Sequence, residues 1–292
     1  KGYIGSVLTE MLLDLGHDVV GYDINYYEPV DVEYKYPNIV QINKDIRDVE
    51  SKDLKGIDCI FHLAALSNDP LGEFNKDLTF QINYEATVKL ARMAKEEGIP
   101  RFIYSSSQSM YGISSSESEI DEDNSTKNPL TEYARTKWLA ECELKNICSD
   151  KFTIVCFRPS TVFGYSPSLR CDIVYNNLVA SAYTTGKIEI KSDGTPWRPV
   201  VHVRDVCRAF IAGFEAPKKL VSNRSYNVGI NNGNFTVKDL AEAAQSVVLG
   251  SELVFTGEHG SDSRTYKVSF NRILTELKEY YLPKWDLVRG GN

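Results

Sequence analysis

The chain predicts an α/β fold: a doubly wound parallel sheet with a smaller mixed α/β lobe after it. Three observations carry this. Short, almost wholly apolar runs recur along the first half, as strands covered on both faces should. Helical periodicity separates them, which makes βαβ units and a parallel sheet. After about residue 165 the alternation loses its regularity, so the sheet domain is set at 1–165 and the second lobe at 166–292, with chain crossings back.

The first helix is read from Ile4, Val7, Leu8, Met11, Leu12 and Leu15, with Gly16 as its stop. Val19–Tyr22 is a short strand ending at Asp23, Ile39–Ile42 a second extended run before Asp45, and Cys59–Ala65 a buried strand running into small residues. Residues 75–98 predict one long helix closed by Gly98. Phe102–Ser106 is the next strand, Pro129–Asn146 a helix, and Phe152–Phe157 a further strand. In the second lobe, helices are expected over 172–185, 203–215, 236–249 and 270–280, and strands over 187–190 and 226–228. Thr236 and Asp239 are spaced as a capping pair. Ile113–Thr126 contains five acidic residues and five serines and reads as a solvated loop.

The chain has 292 residues, 42% hydrophobic and 25% charged, a globular composition. Its net charge of −7 argues against a general nucleic-acid or anionic-membrane binder. The six cysteines form no C-x-x-C pair and no metal-ligand spacing, so no metal site is expected, and reduced buried thiols suit a cytoplasmic location. No apolar run is long enough for a transmembrane helix. Residue 1 is Lys and the chain opens inside a turn-to-helix junction, so the central first strand is expected to precede the numbering.

Candidate chemistry centres on Tyr133 and Lys137. A spacing of four puts phenol and ammonium on one helix face. A nearby ammonium favours the phenolate, and a tyrosine tuned this way takes a proton from an alcohol near neutral pH. Gly2-Tyr3-Ile4-Gly5 reads as the second half of a glycine-rich dinucleotide loop, where a helix N-terminus favours a pyrophosphate. Asp23 ends the next strand, where an acidic residue meets the ribose hydroxyls and repels a 2′-phosphate, favouring NAD over NADP. Asp45 and Ile46 lie where an adenine ring would sit. Leu63-Ala64-Ala65 lets a cofactor approach the backbone, and His62 before them reads as a packed histidine rather than a base.

Taken in order, these motifs resemble the extended short-chain dehydrogenase/reductase family, and within it the NAD-dependent nucleotide-sugar epimerases and dehydratases, UDP-glucose 4-epimerase-like. The series runs Gly2-Tyr3-Ile4-Gly5, Asp23, Asp45, His62-Leu63-Ala64-Ala65, Asn83, Ser105-Ser106-Ser107, Tyr111-Gly112, Tyr133 to Lys137, Arg158-Pro159, Asp193-Gly194-Thr195, Arg198 and His202-Val203. The resemblance implies a Rossmann domain, with Asn83, Ser105 and Pro159 joining the cofactor set. It implies Tyr133 as the base on a sugar hydroxyl, Lys137 on the nicotinamide ribose, and Ser107 on the reacting oxygen. It implies a nucleoside-diphosphate sugar as substrate, held by Asn177, Arg198 and Arg264, with Thr161 where many relatives carry asparagine. Ser67 and Asn68 after the cofactor strand, and Gln108 and Ser109 after Ser107, complete the substrate set. A homodimer is likewise implied.

One departure narrows the reaction. The dehydratases of this family carry an Asp-Glu pair after the catalytic hydroxyl, and here Gln108 and Ser109 stand there. Epimerisation at C4, a related single-centre epimerisation, or oxidation to a released keto sugar remain. A dinucleotide-binding protein without chemistry is the reading from another class.

Overall fold

The computed structural model describes residues 1–26, 39–67, 69–113, 118–256 and 265–292. The first helix, α1 (Tyr3–Asp14), follows an extended Gly2 and buries Val7, Leu8 and Leu12. Gly16 leaves it with φ +85°, a left-handed conformation that glycine adopts without strain. Leu15, assigned to its apolar face, lies beyond the last turn and is exposed. Strands β1 (Val20–Asp23) and β2 (Val40–Asn43) pair in parallel, then β3 (Cys59–His62) begins a second parallel sheet.

Within 75–98, residues 76–96 are helical but not one regular helix. A short α2 (Asp69–Phe74) precedes α3 (Lys76–Phe80), which Asn75 caps by accepting from the Leu78 amide. The backbone then widens to a π-turn over Gln81–Glu85 before α4 (Ala86–Glu96). Such local widening re-aims a side chain without ending the helix; here the re-aimed residue is Asn83. Next come β4 (Arg101–Ser105) and α5 (Glu132–Ile147). Pro129 and Leu130 lie outside α5 because Thr131 is its cap, accepting from the Ala134 amide. Strand β5 (Thr153–Pro159) follows.

The second part contains β6 (Thr161–Phe163), α6 (Val174–Thr185), β7 (Lys187–Ile190), β8 (Trp197–His202), α7 (Val203–Glu215), α8 (Lys218–Val221), β9 (Arg224–Val228), β10 (Asn234–Thr236), α9 (Val237–Val247), β11 (Glu252–Phe255), α10 (Asn271–Glu276) and α11 (Leu287–Gly291). Thr236 and Asp239 form the reciprocal capping box at α9. The helix expected over 270–280 stops at Glu276, shorter than its periodicity implied, and α11 follows it.

Among the described residues, the main sheet runs β3-β4-β5-β9, parallel throughout. Its residues alternate between two cores. Phe102, Tyr104, Ile154 and Cys156 face a layer with Leu90, Ala91, Ala140 and Leu144 from α4 and α5. Ile103, Val155 and Phe157 face the opposite layer, with Val206, Phe210 and Tyr226, and with Val7 and Leu8 of α1. The strands are therefore apolar on both faces, which is the pattern the sequence carries. A third cluster, including Leu178, Ile188, Val200 and Leu240, fills the second lobe. Two elements beyond residue 165 return to the first: β9 pairs with β5, and α7 packs on α1, β4 and β5.

The acidic segment is not wholly a solvated loop. Ile120 and Glu122 are buried; Ile120 bridges to Val268, and Glu122 accepts from the Asn227 amide at 2.8 Å. Residues 114–117 lie outside the described residues.

Helix α7 reaches the sheet so closely that a Cβ at Gly213 would stand 2.5 Å from Phe157 Cε2 and 3.2 Å from Val155 Cγ1. The Phe157 ring is held by Phe210 and Tyr226 and has no free space to swing into. Gly213→Ala should therefore destabilise the chain by about 1–3 kcal/mol, overpacking outweighing the gain in helix propensity. Urea unfolding measures it, and a variant as stable as the parent would show that α7 has room to move.

Candidate active site

The carboxyl ends of β3, β4 and β5 share one edge of the parallel sheet, and helix α5 runs beside it. On α5, Tyr133, Lys137 and Glu141 recur every four residues and make one ridge facing the sheet. Lys137 is 3% exposed. Its Nζ donates to the Ser105 carbonyl at 2.8 Å and sits 5.0 Å from the Tyr104 ring centroid and 5.9 Å from that of Tyr133. Burial disfavours the ammonium and pushes Lys137 down to about 7. The Ser107 hydroxyl lies 2.6 Å from the Ser109 hydroxyl and accepts from the Ser109 amide. The three catalytic candidates thus come from two neighbouring elements, the β4 end and α5. Gly72 of α2 lies over the Tyr133 Cβ, at 3.6 Å from where its own Cβ would be.

The residues assigned to a dinucleotide lie at the start of α1, at the end of β1 and after β2, on the π-turn, and along the same edge at or after the ends of β3, β4 and β5. A Cβ added to Gly2 or Gly5 would meet no atom within 4 Å, so the backbone at the helix N-terminus is open to a diphosphate. Tyr3 and Ile4 enter this loop by their backbone. The Tyr3 side chain turns inward, its hydroxyl donating to the Gly164 carbonyl at 2.7 Å. Asp23 closes β1 and accepts from the Asn25 amide. Asp45 caps a short turn over Ile46–Asp48 and is forked by Arg47, whose hydrogen bonds hold the carboxyl below its usual range. Leu63, Ala64 and Ala65 follow β3. Asn83 clamps that stretch: it accepts from the Leu66 amide and donates to the Leu66 carbonyl and to Thr136 Oγ1. Ser105 supplies the carbonyl under Lys137, and Pro159 ends β5. The open glycine backbone, the small residues after β3 and the buried ammonium fit a nicotinamide dinucleotide.

His62 is packed. It hydrogen-bonds Thr87, it is fully enclosed, and burial pushes it down to about 3, so it stays neutral.

The substrate candidates are spread over both lobes. Ser67 lies 3.4 Å from the Arg170 guanidinium. Thr161 is on β6; Asn177 is exposed on α6, donating to the Cys171 carbonyl; Arg198 is on β8, donating to the Trp197 carbonyl. Gln108 is 1% exposed and donates to the Arg158 carbonyl, so it forms the floor of the turn rather than an open wall. Asn68 and Arg264 lie outside the described residues.

The sequence assigns no role to three further residues near this constellation. Arg170 is forked to Asp172 and is electrostatically coupled to both Tyr133 and Tyr3. Ser106 and Glu141, joined at 2.6 Å behind the serine turn, are 35 residues apart in sequence. Only the four-residue phase linking Glu141 to Lys137 hinted at the second of these.

Comparison with known proteins adds to this geometry. The chain is 28% identical over 242 residues to an uncharacterized UDP-glucose epimerase, YtcB, of Bacillus subtilis (strain 168), covering 78% of this chain and 74% of that one. It is 28% identical over 244 residues to human dTDP-D-glucose 4,6-dehydratase, covering 79% and 68%. The solved structure of MoeE5 in complex with UDP-glucose and NAD superposes with a TM-score of 0.82 at 25% identity, covering 99% of this chain and 93% of that one. The sequence profile of the NAD dependent epimerase/dehydratase family matches residues 1–229. On that match, which spans most of the sequence, the chain belongs to the NAD dependent epimerase/dehydratase family.

Proposed function

We propose that this enzyme inverts the C4 centre of a nucleoside-diphosphate hexose through a transient 4-keto sugar. The observation that carries the reading is the buried Lys137 ammonium, set on the Ser105 carbonyl one helical turn from Tyr133 and two residues from Ser107. Gly2, Gly5, Asp23, Asp45, Ile46, Leu63, Ala64, Ala65, Asn83, Ser105, Lys137 and Pro159 would hold NAD, which when bound supplies the hydride acceptor for oxidation and returns the hydride on reduction.

The chain's own residues handle the proton. Tyr133 removes it from the C4 hydroxyl and gives it back after the ketone has turned. Lys137, when charged, favours the phenolate. Ser107 donates a hydrogen bond to the oxygen on which charge develops. Asn177, Arg198 and Arg264 are proposed for the diphosphate, where guanidinium forks match phosphate oxygens. The UDP-glucose bound by MoeE5 makes UDP-hexoses the first substrates to test. Gln108 and Ser109 offer no carboxylate for removing water, which supports epimerisation over dehydration.

Two outcomes check this. Tyr133→Phe should lower turnover by about 10²–10⁴-fold, the range for losing a positioned base, while NAD released by acid from the purified protein stays near the parent amount. NMR of the sugar product reads the rate; full activity in that variant would refute the mechanism, and a ketone that accumulates with stoichiometric NADH would replace epimerisation by dehydrogenation.

The second concerns pH. A free lysine titrates near 10.4, whereas burial holds Lys137 at about 7. Between those values the unfolded chain binds more protons than the folded one, so this residue makes stability rise with pH, by up to ~1.4 kcal/mol per unit. Its cost is full below about pH 7. Lys137→Met should flatten the change in urea midpoint between about pH 7 and pH 8.5, below the range where the buried thiols act in the opposite sense. An unaltered slope would show that Lys137 stays charged in the apo protein.

A further inference from the structure

Behind the serine turn lies a buried ionic network that the proposed chemistry does not use. Glu141 is fully enclosed and Arg158 is 1% exposed. The Arg158 guanidinium forks the Glu141 carboxylate and also donates to the Tyr111 hydroxyl at 2.8 Å and the Glu122 carbonyl at 3.1 Å. Burial alone would raise the Glu141 carboxyl, but the Arg158 charge and the donated hydrogen bonds outweigh it and hold it below its usual range. A buried pair of this kind is weak evidence for stability, because desolvation consumes most of the attraction. Its geometry shows where else it acts.

The carboxylate has two further donors, and they differ in what they hold. Ser106 Oγ donates to Oε2 at 2.6 Å, and Ser225 Oγ on β9 donates to Oε1 at 2.7 Å. Ser106 is the middle of the serine turn. On one side its neighbour Ser105 supplies the carbonyl for Lys137, and on the other Ser107 carries the hydroxyl offered to the substrate. The same turn is fastened a second time from Arg158, whose backbone carbonyl accepts from Gln108. The two residues flanking Ser107 are thus both held, Ser106 by the Glu141 carboxylate of the ion pair and Gln108 by the Arg158 main chain.

We infer that the Glu141–Arg158 pair positions the Ser105–Ser107 turn, acting through Ser106, and so sets the acceptor of Lys137 and the aim of the Ser107 hydroxyl. Glu141 and Ser106 are positioning residues in this scheme and touch neither substrate nor cofactor. The inference rests on the role proposed above for Ser107 and Lys137.

Ser106→Ala and Ser225→Ala form a matched test. Each removes one hydrogen bond from the same carboxylate and leaves the ion pair, so a purely structural network predicts equal effects. Two readouts separate them: the single-turnover rate of NAD reduction with UDP-hexoses, and NADH affinity followed by fluorescence. Ser106→Ala should slow the first by about tenfold, equivalent to one charge-assisted hydrogen bond, and weaken the second severalfold as Lys137 loses its fixed acceptor. Ser225→Ala should stay within about twofold of the parent in both, with a similar fall in melting temperature. Equal changes in the two variants, or none in either, would overturn the inference. If no UDP-hexose reduces NAD in the parent protein, UDP-hexoses are not its substrates, and NADH affinity alone decides the positioning.

Discussion

The Lys137 ammonium is buried and donates to a backbone carbonyl, that of Ser105, and much of the surrounding architecture follows from that. An ammonium out of water is costly unless donors and acceptors are arranged for it. The Tyr104 ring beneath it contributes a cation–π contact. The carbonyl is useful only if the Ser105 peptide keeps its orientation, so the turn must be fastened by something other than Lys137. Two bonds do this: the Ser106 amide donates to the Phe157 carbonyl at 2.7 Å, and the Ser106 hydroxyl to Glu141. Helix α5 can approach near enough because its sheet-facing residues between the functional ones are small. Ala134, Thr136 and Ala140 are all but fully buried there.

The second lobe is not an appendage to this arrangement. Strand β9 extends the main sheet, and α7 covers the face opposite α5, so the first domain's core is incomplete without residues past 165. The glycine loop is also tied across to the later chain. The Tyr3 hydroxyl donates to the Gly164 carbonyl, and the Ser166 hydroxyl to the Tyr3 carbonyl at 2.6 Å. The segment leading to α6 is thereby anchored by hydrogen bonds at the start of α1.

How much of this was legible in the sequence depended on the range of each interaction. Helix α5, the Thr236–Asp239 capping box, and the stops at Gly16 and Gly98 are decided within a turn or two of chain, and local patterns carried them. The strands of the main sheet were readable because burial on both faces leaves no polar alternation to confuse them. The second lobe was harder. Strands β6 and β10 have three residues each, too few for a period to repeat. The π-turn at Gln81–Glu85 exists to aim Asn83 at Leu66 and Thr136, a need set by residues 17 and 53 positions away. Glu122 sat in a serine-rich acidic run whose composition argued for solvent, yet the Asn227 amide and the nearby Arg272 guanidinium offset the cost of burying it. Among site residues, the spacing of Tyr133 and Lys137 was visible at once, whereas the link from Ser106 to Glu141 crosses two elements.

The turn after Ser107 also bears on which chemistry the site can run. Removing water from a keto sugar needs an acid and a base beyond the one that served the first hydroxyl. Gln108 has no ionisable group, and its amide is engaged by the Arg158 carbonyl. The Ser109 hydroxyl is turned onto Ser107. The α5 carboxylates beside Tyr133 and Lys137 are already committed: Glu132 to Arg135, and Glu141 to Arg158. Recruiting either would first break an ion pair, and for Glu141 it would leave a buried guanidinium uncompensated. Among the described residues, Gln108 and Ser109 of the turn thus offer no carboxyl group for removing water. A ketone formed there has no second acid–base pair in the turn to divert it.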